Sequence, residues 1–248
     1  WSDLSWQRTD RVLILGGRSL LWSLDPLEAV AEGGLTILCS SSTEQLRLEA
    51  QLQLLDPLNQ PAILADAAEL ERLSPDHQFE VVGGRLNQED LKAPDLETFW
   101  ARVSCRSTSG AQLRLLLTEP QLGPAGGLLE LLVKEREASK PSSSLQTLAA
   151  LESIWLSQEE QRQRLLSQLE RCGWLTNQSS WQESLKLSVE PSLIERWLGE
   201  DRPYRRALEE TGEASDSALS ELRRELLKQR GKHLPQSLRH WRIEGRLA

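Results

Sequence analysis

The chain has 248 residues, and 39% of them are hydrophobic, which is enough for one large α/β domain or two small ones with a buried core. Its formal net charge of -8 argues against attraction of the whole molecule to nucleic acid or an anionic membrane by its overall field. The three cysteines, Cys39, Cys105 and Cys172, are far apart and form no CxxC pair, which argues against a disulfide framework or a zinc site and favours a reducing cytoplasm.

The first predicted element is a buried strand over Arg11–Leu15, which ends at Gly16 and Gly17. A continuous aliphatic run that stops at a glycine turn and leads into a helix is typical of the first unit of a nucleotide-binding α/β sheet. The helix is predicted over 19–24, and Pro26 predicts a restart or a kink.

Four more strands are predicted over residues 35–39, 61–65, 79–82 and 113–118, with helical patterns between the first of them. Alternating strands and helices imply right-handed crossovers and a parallel sheet, in which ligands bind at the carboxyl ends of the strands. The residues expected at that edge are Gly16, Gly17, Cys39, Ser40, Asp66, Gly83, Gly84 and Glu119.

Local signals refine these elements. Ser42 with Gln45 resembles a capping box, and Asp66 is expected to open a short helix. Gly83 is expected to end the fourth strand. In the last third of the chain we predict helices, a strand over 181–189, and a last strand over 240–247 that pairs with it.

The order of these elements resembles the class I S-adenosylmethionine-dependent methyltransferase fold. Residues 12–21, VLILGGRSLL, lie where that family has its glycine-rich first motif. The sequence ADA at 65–67 resembles the segment whose acid contacts the adenine amino group, and FEVVGGRL at 79–86 resembles the fourth-strand segment that borders the substrate. The cofactor positions that the resemblance implies are Gly16, Gly17, Cys39, Asp66 and Gly83.

The resemblance implies an α/β class, with a Rossmann-like, mostly parallel sheet, a helical carboxyl-terminal portion and a terminal β-hairpin. We expect residues 1–137 to form the core of five strands and 138–146 to be a linker or lid. Residues 147–248 would add the helical segment and the final strands that complete the same fold.

The glycine-rich motif departs from the family pattern. Arg18 and Leu20 stand where the family has glycines, and their side chains are expected to crowd the space that the cofactor needs. Cys39 replaces the acid that holds the ribose hydroxyls, a loss of about 1.5–3 kcal/mol. We therefore expect that the protein binds no cofactor. If it is an active enzyme, the expected cofactor is S-adenosylmethionine.

Two functions follow from these observations. The first is a non-catalytic accessory domain whose partners are other domains or subunits of a larger protein. A methyltransferase-like domain with this altered glycine turn and many Leu, Gln and Trp residues resembles the carboxyl-terminal domain of some cyanobacterial RarA/MgsA-type AAA+ ATPases of DNA replication and repair. The alternative is an active S-adenosylmethionine-dependent methyltransferase of unknown substrate, with Glu80, Arg85 and Glu119 near the substrate and no assigned catalytic residue. A start at Trp1 and the absence of methionine suggest a fragment or omitted methionines.

The carboxyl end of the chain is basic, and Arg239 and Arg242 are the residues we expect to contact DNA there. Trp241 would be available to stack on a base. The other interpretation is a solvated helix face, since Glu221, Glu225 and Glu244 are interspersed. No membrane contact is expected, because no apolar run is long enough to span a bilayer.

Overall fold

The computed structural model describes residue 1 and residues 4–92, 95–134 and 142–248. Its strands are β1 (Arg11–Leu15), β2 (Gly34–Leu38), β3 (Ala62–Leu64), β4 (Phe79–Leu86), β5 (Ser107–Pro120), β6 (Trp174–Ser188) and β7 (His233–Leu247). Its α-helices are α1 (Leu21–Ala29), α2 (Ser42–Leu52), α3 (Gln88–Lys92), α4 (Leu96–Cys105), α5 (Pro124–Lys134), α6 (Ser143–Leu156), α7 (Glu159–Arg171), α8 (Pro191–Leu198), α9 (Pro203–Glu210) and α10 (Asp216–Lys228). Two short 3₁₀ helices cover Pro57–Asn59 and Ala67–Arg72.

The seven strands form one sheet in the order β3-β2-β1-β4-β5-β7-β6. β1 is parallel to β2 and β4, β2 is parallel to β3, and β4 is parallel to β5. The predicted mostly parallel, Rossmann-like sheet is thus confirmed. β6 and β7 are neighbours, as predicted, although α8, α9 and α10 lie between them in the chain.

The central strand shows why an unbroken aliphatic run is needed here. Val12, Leu13, Ile14 and Leu15 are each at most 2% exposed, because both faces of β1 are covered. Leu13 and Leu15 pack into one hydrophobic cluster, and Val12 and Ile14 pack into another. Side chains along a strand alternate between faces, so the sheet lies between two apolar layers.

The described chain divides into two compact units. The first comprises Trp1–Leu117, Glu159–Ser179 and Trp241–Ala248, and the second comprises Thr118–Gln158 and Ser180–His240. The second unit has its own core, formed by residues such as Leu128, Leu148, Ile194, Leu208 and Leu222. Part of the predicted linker or lid, residues 138–141, lies outside the described residues, and Ser142 caps α6 through its side chain.

Of the predicted restart or kink at Pro26, the restart is wrong, because α1 continues through this proline, and the kink stays a prediction. A proline inside a helix leaves the carbonyl four residues earlier without its amide donor. That carbonyl belongs to Trp22, and the indole nitrogen of Trp1 donates a hydrogen bond to it at 2.9 Å. The indole N–H of Trp1 therefore takes the place of the amide donor that Pro26 lacks.

The predicted end of the fourth strand at Gly83 is also wrong, since β4 runs through Gly83 and Gly84 to Leu86. A β-carbon on Gly84 would lie 2.6 Å from the carbonyl oxygen of Leu15 in β1. Glycine is needed there because the two strands approach too closely for a side chain. A glycine pair inside a strand can mark close packing as well as a turn.

The predicted capping box at Ser42 shifts by one residue. Ser41 is the N-cap of α2, and its hydroxyl accepts a hydrogen bond from the amide of Glu44.

Within the described residues, no helix has the length and apolar character needed to cross a bilayer.

Candidate functional site

A cavity of about 320 Å³ lies at the carboxyl ends of β1, β2, β3 and β4, within the first unit. Its volume falls in the range of about 300–1,000 Å³ that is usual for small-molecule sites. The strand-end residues that line it are Leu15, Gly16, Leu38, Cys39, Ser40, Asp66, Ala67 and Leu86. The residues that α3, α4 and the turn before α4 contribute are Asp90, Asp95, Leu96, Phe99, Trp100 and Arg102.

The glycine turn after β1 shapes one wall of the cavity. Gly16 has a φ of +87°, and its amide donates to the carbonyl of Leu38 at 2.9 Å. Gly17 packs behind the turn, where a β-carbon would lie 2.9 Å from Sγ of Cys39. Gly16 therefore faces the cavity, whereas Gly17 lets the turn pack against β2.

The predicted crowding by Arg18 and Leu20 is not found, since neither residue lines the cavity. Leu20 is 8% exposed and packs into the core, while its amide donates to Oε1 of Gln51. The Arg18 guanidinium points to Asp90, with Nη2 3.2 Å from Oδ1 and 3.3 Å from Oδ2. Leu20 is thus turned into the core, whereas Arg18 pairs with Asp90, a residue that does line the cavity.

Cys39 stands at the end of β2 as a buried thiol, 4% exposed. Burial, with the nearby charges of Glu44 and Glu49, raises the pKa of Cys39 to about 11. A neutral thiol is a weaker hydrogen-bond acceptor than a carboxylate. The predicted loss of an acceptor at position 39 therefore agrees with the local environment.

Asp66 lies at the cavity and opens the 3₁₀ helix that follows β3, as predicted. Its Oδ1 accepts hydrogen bonds from the amides of Ala68 at 2.7 Å and Glu69 at 3.2 Å. Both bonds use the same oxygen, and no hydrogen bond to Oδ2 is found within the described part of the chain. The side chain is held in place by its capping role.

Asp90 also lines the cavity and was missed by the sequence analysis. It exchanges hydrogen bonds with Asn87, whose amide donates to Oδ2 at 2.8 Å and whose Oδ1 accepts from the Asp90 amide at 2.9 Å. The hydroxyl of Ser40 is 3.4 Å from Oδ1. Burial raises the pKa of Asp90, against the opposing effects of the Asn87 bond and the Arg18 charge.

Other predicted site residues lie elsewhere. Gly83 is inside β4 and does not line the cavity. Glu80 accepts a hydrogen bond from the amide of Arg11 at 2.6 Å, at the amino end of β1. Glu119 belongs to the second unit, where its carboxylate accepts from the amide of Gln158 at 2.9 Å.

The sequence analysis also missed α4, which supplies the apolar wall of the cavity. Its buried residues Leu96, Trp100 and Val103 recur at a spacing of four and three, the spacing of a helix face. That pattern was available in the sequence. The indole nitrogen of Trp100 is buried and has no hydrogen-bond partner among the described residues.

Much of the basic carboxyl-terminal stretch is paired with acids. Lys228 lies 2.8 Å from Glu225, and Arg242 lies 2.9 Å from Glu244. Trp241 is packed under a guanidinium, with the Cζ of Arg162 3.6 Å from its ring centroid. Arg239 is half-buried. DNA contact through Arg239 and Arg242 stays a prediction, and one face of the Trp241 ring is covered by the Arg162 guanidinium.

The rate at which Cys39 is alkylated tests whether this cavity-lining thiol is buried. A thiol with a pKa of about 11 instead of 9.0 carries about 100-fold less thiolate at pH 8. Iodoacetamide is therefore expected to modify the exposed Cys105 first and Cys39 at least about 100-fold more slowly. Peptide mass spectrometry over time measures both rates. The Cys39→Ser variant should leave the Cys105 rate unchanged, and equal native rates would contradict the described burial.

Comparison with solved structures gives matches along nearly the whole chain. The YcgJ protein from Bacillus subtilis matches with a TM-score of 0.56 and 14% identity, over 98% of this chain and 94% of that one. A candidate methyltransferase from Bacillus halodurans C-125 matches with a TM-score of 0.51 and 14% identity, over the same 98% and 94%. At this identity the likeness shows the fold, and the predicted methyltransferase-like fold is confirmed.

No protein-family model matches the sequence, and no curated protein matches it either. The predicted association with an AAA+ ATPase therefore stays a prediction.

Proposed function

We propose that the protein binds S-adenosylmethionine in the cavity at the carboxyl ends of β1–β4 and is an S-adenosylmethionine-dependent methyltransferase. The observation that carries the proposal is the open cavity itself. Three of the residues expected to hold the cofactor, Gly16, Cys39 and Asp66, line it, whereas Arg18 and Leu20 do not. This favours the active alternative over the accessory one.

The cavity lining fits an adenosyl sulfonium in three respects. Leu96, Phe99 and Trp100 give an apolar wall for a nucleoside. Asp66 offers a carboxylate oxygen. Gly16 allows close approach of a ligand to the backbone, since no side chain projects from the turn.

Charge also favours a cationic ligand. Among the described residues, Asp66, Asp90 and Asp95 line the cavity with Arg102, whose Nε is paired with Glu71 at 2.6 Å, and Arg18 pairs with Asp90 from outside the lining, so the acids still outnumber the cations. When bound, S-adenosylmethionine supplies a methyl group on a positively charged sulfur. The carboxylates lower the energy of such a charge, and the apolar wall limits access of water.

Cys39 is the observation that favours the second candidate, a non-catalytic accessory domain. A thiol in place of a carboxylate weakens the hold on a ribose, and the cavity would then serve no cofactor. The two candidates differ in one measurable property, the affinity for S-adenosylmethionine.

Isothermal titration with S-adenosylmethionine is expected to give a micromolar dissociation constant. Asp66→Asn keeps an acceptor oxygen for the helix cap but removes the charge, and it should weaken binding about tenfold. Asp56→Asn is the matched control, because Asp56 caps the other 3₁₀ helix by accepting from the Leu58 amide and does not line the cavity. It should leave the affinity unchanged.

Absence of binding to the wild-type protein would overturn the proposal and favour the accessory domain. Equal effects of Asp66→Asn and Asp56→Asn would place the ligand outside this cavity. Transfer of tritiated methyl groups from S-adenosylmethionine into the small-molecule fraction of a cell extract tests the transferase activity, with Asp66→Asn as the weakened comparison.

A further inference from the structure

A second groove, of about 450 Å³, lies against the parts of β5, β6 and β7 that belong to the first unit. It shares no lining residue with the cavity at the carboxyl ends of β1–β4. Its charged and amide side chains are Gln112, Arg114, Asn177, Glu244 and Arg246. A ligand bound in this groove would therefore contact none of the residues proposed to hold S-adenosylmethionine.

One face of these three strands is covered, and the other is open. The side chains that pack into the hydrophobic core with α7 are Leu113, Trp174 and Ile243. Because side chains alternate along a strand, Arg114 and Glu244 point to the opposite face, where both are only partly buried. At the groove, Leu175 is 72% exposed and Arg246 is exposed. This face, which we call the groove face, is accessible to a large ligand.

The groove face carries more positive than negative charge. A single oxygen, Oε1 of Glu244, lies 2.7 Å from Nη1 of Arg114 and 2.9 Å from Nε of Arg242. Arg246 forms no ion pair with any residue in the part of the chain that the structure describes. One carboxylate therefore faces three guanidiniums, and an anionic ligand would balance the remaining charge.

The neighbouring strand β4 extends the groove face with another arginine and an aromatic ring. Gly83 of β4 is the register partner of Arg114, so Arg85, two residues further along, projects from the same face and is exposed. A β-carbon on Gly83 would meet the ring of Trp1, so this half-buried ring lies on that face as well. Arginines thus flank an aromatic ring on an open sheet.

The spacing of the arginines favours an extended anion over a single phosphate ion. Arg242 and Arg246 are four residues apart in β7, which separates their backbone positions by about 13 Å. Guanidiniums bind phosphates in a fork geometry, and aromatic or apolar side chains on a sheet support unstacked bases. The amides of Gln112 and Asn177 can donate and accept hydrogen bonds, as base edges require.

We propose that the groove face binds a single-stranded nucleic acid, with Arg114 and Arg246 at its phosphates and Leu175 against a base. The proposal goes beyond the methyltransferase function and does not depend on it, because the two sites share no residue. Of the two arginines that the sequence indicated for DNA contact, Arg242 lies on this face. The net charge of -8 opposes binding elsewhere on the molecule, so binding should be strongly salt-dependent.

Fluorescence anisotropy with a labelled oligothymidylate of about 12 nucleotides tests the proposal on the full chain. The wild-type protein is expected to bind with a micromolar dissociation constant at about 50 mM salt. With three phosphate contacts, the slope of log K against log salt should be about -2. Arg246→Glu should weaken binding at least about tenfold and make the slope shallower by about 0.7.

Arg47→Glu is the matched control for Arg246→Glu. Arg47 is also exposed, it lies on α2, and it lines neither the groove nor the cavity, while its replacement changes the net charge by the same amount. It should change the affinity by about twofold or less, because salt screens distant charges. Urea unfolding of Arg246→Glu should match that of the wild-type protein, since the side chain is exposed.

Four results would overturn the proposal. They are no binding of the oligothymidylate at low salt, equal weakening by Arg246→Glu and Arg47→Glu, tighter binding of a duplex of the same length, and equal competition by polyglutamate. The last result would show that the groove face accepts any polyanion, including an acidic peptide. Titration with S-adenosylmethionine reports on the cavity separately, so failure of either proposal leaves the other standing.

Discussion

Replacing Glu152 with alanine is expected to lower the free energy of unfolding by about 4 kcal/mol. Glu152 is 1% exposed in the second unit, and its carboxylate accepts four hydrogen bonds. The amides of Gly123, Ala125 and Gly126 donate at 2.8, 2.8 and 2.9 Å, and the Tyr204 hydroxyl donates at 2.7 Å. Alanine would leave three amides at the start of α5 and the Tyr204 hydroxyl in α9 without their acceptor.

The carboxylate is held there against its own desolvation. Burial raises the pKa of Glu152, and the bonds from Tyr204 and the three amides oppose that rise. This balance explains why one acid can anchor α6 to both α5 and α9. Removing the carboxylate leaves four buried donors without an acceptor, and each unsatisfied donor destabilises the folded state.

Urea unfolding measures the loss for Glu152→Ala. Glu130→Ala is the control, because Glu130 forms an exposed i,i+4 pair with Lys134 at 3.5 Å. An exposed pair of this kind contributes at most about 0.5 kcal/mol. If the two substitutions destabilised the protein equally, the four hydrogen bonds at Glu152 would not be important for stability.

Replacing Gly84 with alanine is expected to cost about 3 kcal/mol of stability. The added β-carbon would lie 2.6 Å from the carbonyl oxygen and 2.7 Å from the β-carbon of Leu15. Neither atom can rotate away, because Leu15 belongs to the central strand and is 2% exposed. The pairing of β1 with β4 would have to open just before the glycine turn that lines the cavity.

Gly83→Ala is the matched control for Gly84→Ala in the same strand. A β-carbon at Gly83 would meet the ring of Trp1 and lie 3.3 Å from the carbonyl oxygen of Arg114 in β5. The Trp1 ring would have to shift, with loss of its hydrogen bond to the Trp22 carbonyl, while the pairing of β1 with β4 stays closed. The expected cost of Gly83→Ala is about 1 kcal/mol. Thermal and urea unfolding of the two variants give the comparison, and a cost for Gly83→Ala as large as that for Gly84→Ala would contradict the close approach of β1 and β4.

The sequence by itself determined that the protein has a mostly parallel sheet, and where its first strands lie along the chain. β1 is found over the predicted residues, and β2 is shifted by one residue, since a strand buried on both faces requires a continuous aliphatic run. Asp66 was also identified from sequence, because its cap is a local interaction with the next three residues. Local chemistry and burial on two faces leave a readable pattern in the chain.

Only the tertiary structure decided whether the cavity is open. Arg18 turns to Asp90, 72 residues away, and the Leu20 amide binds Gln51, 31 residues away. The same holds for Pro26, whose helix is completed by Trp1, and for Gly84, which faces Leu15. In each case the residue type is compatible with two local conformations, and a contact with a residue distant in the sequence selects one of them.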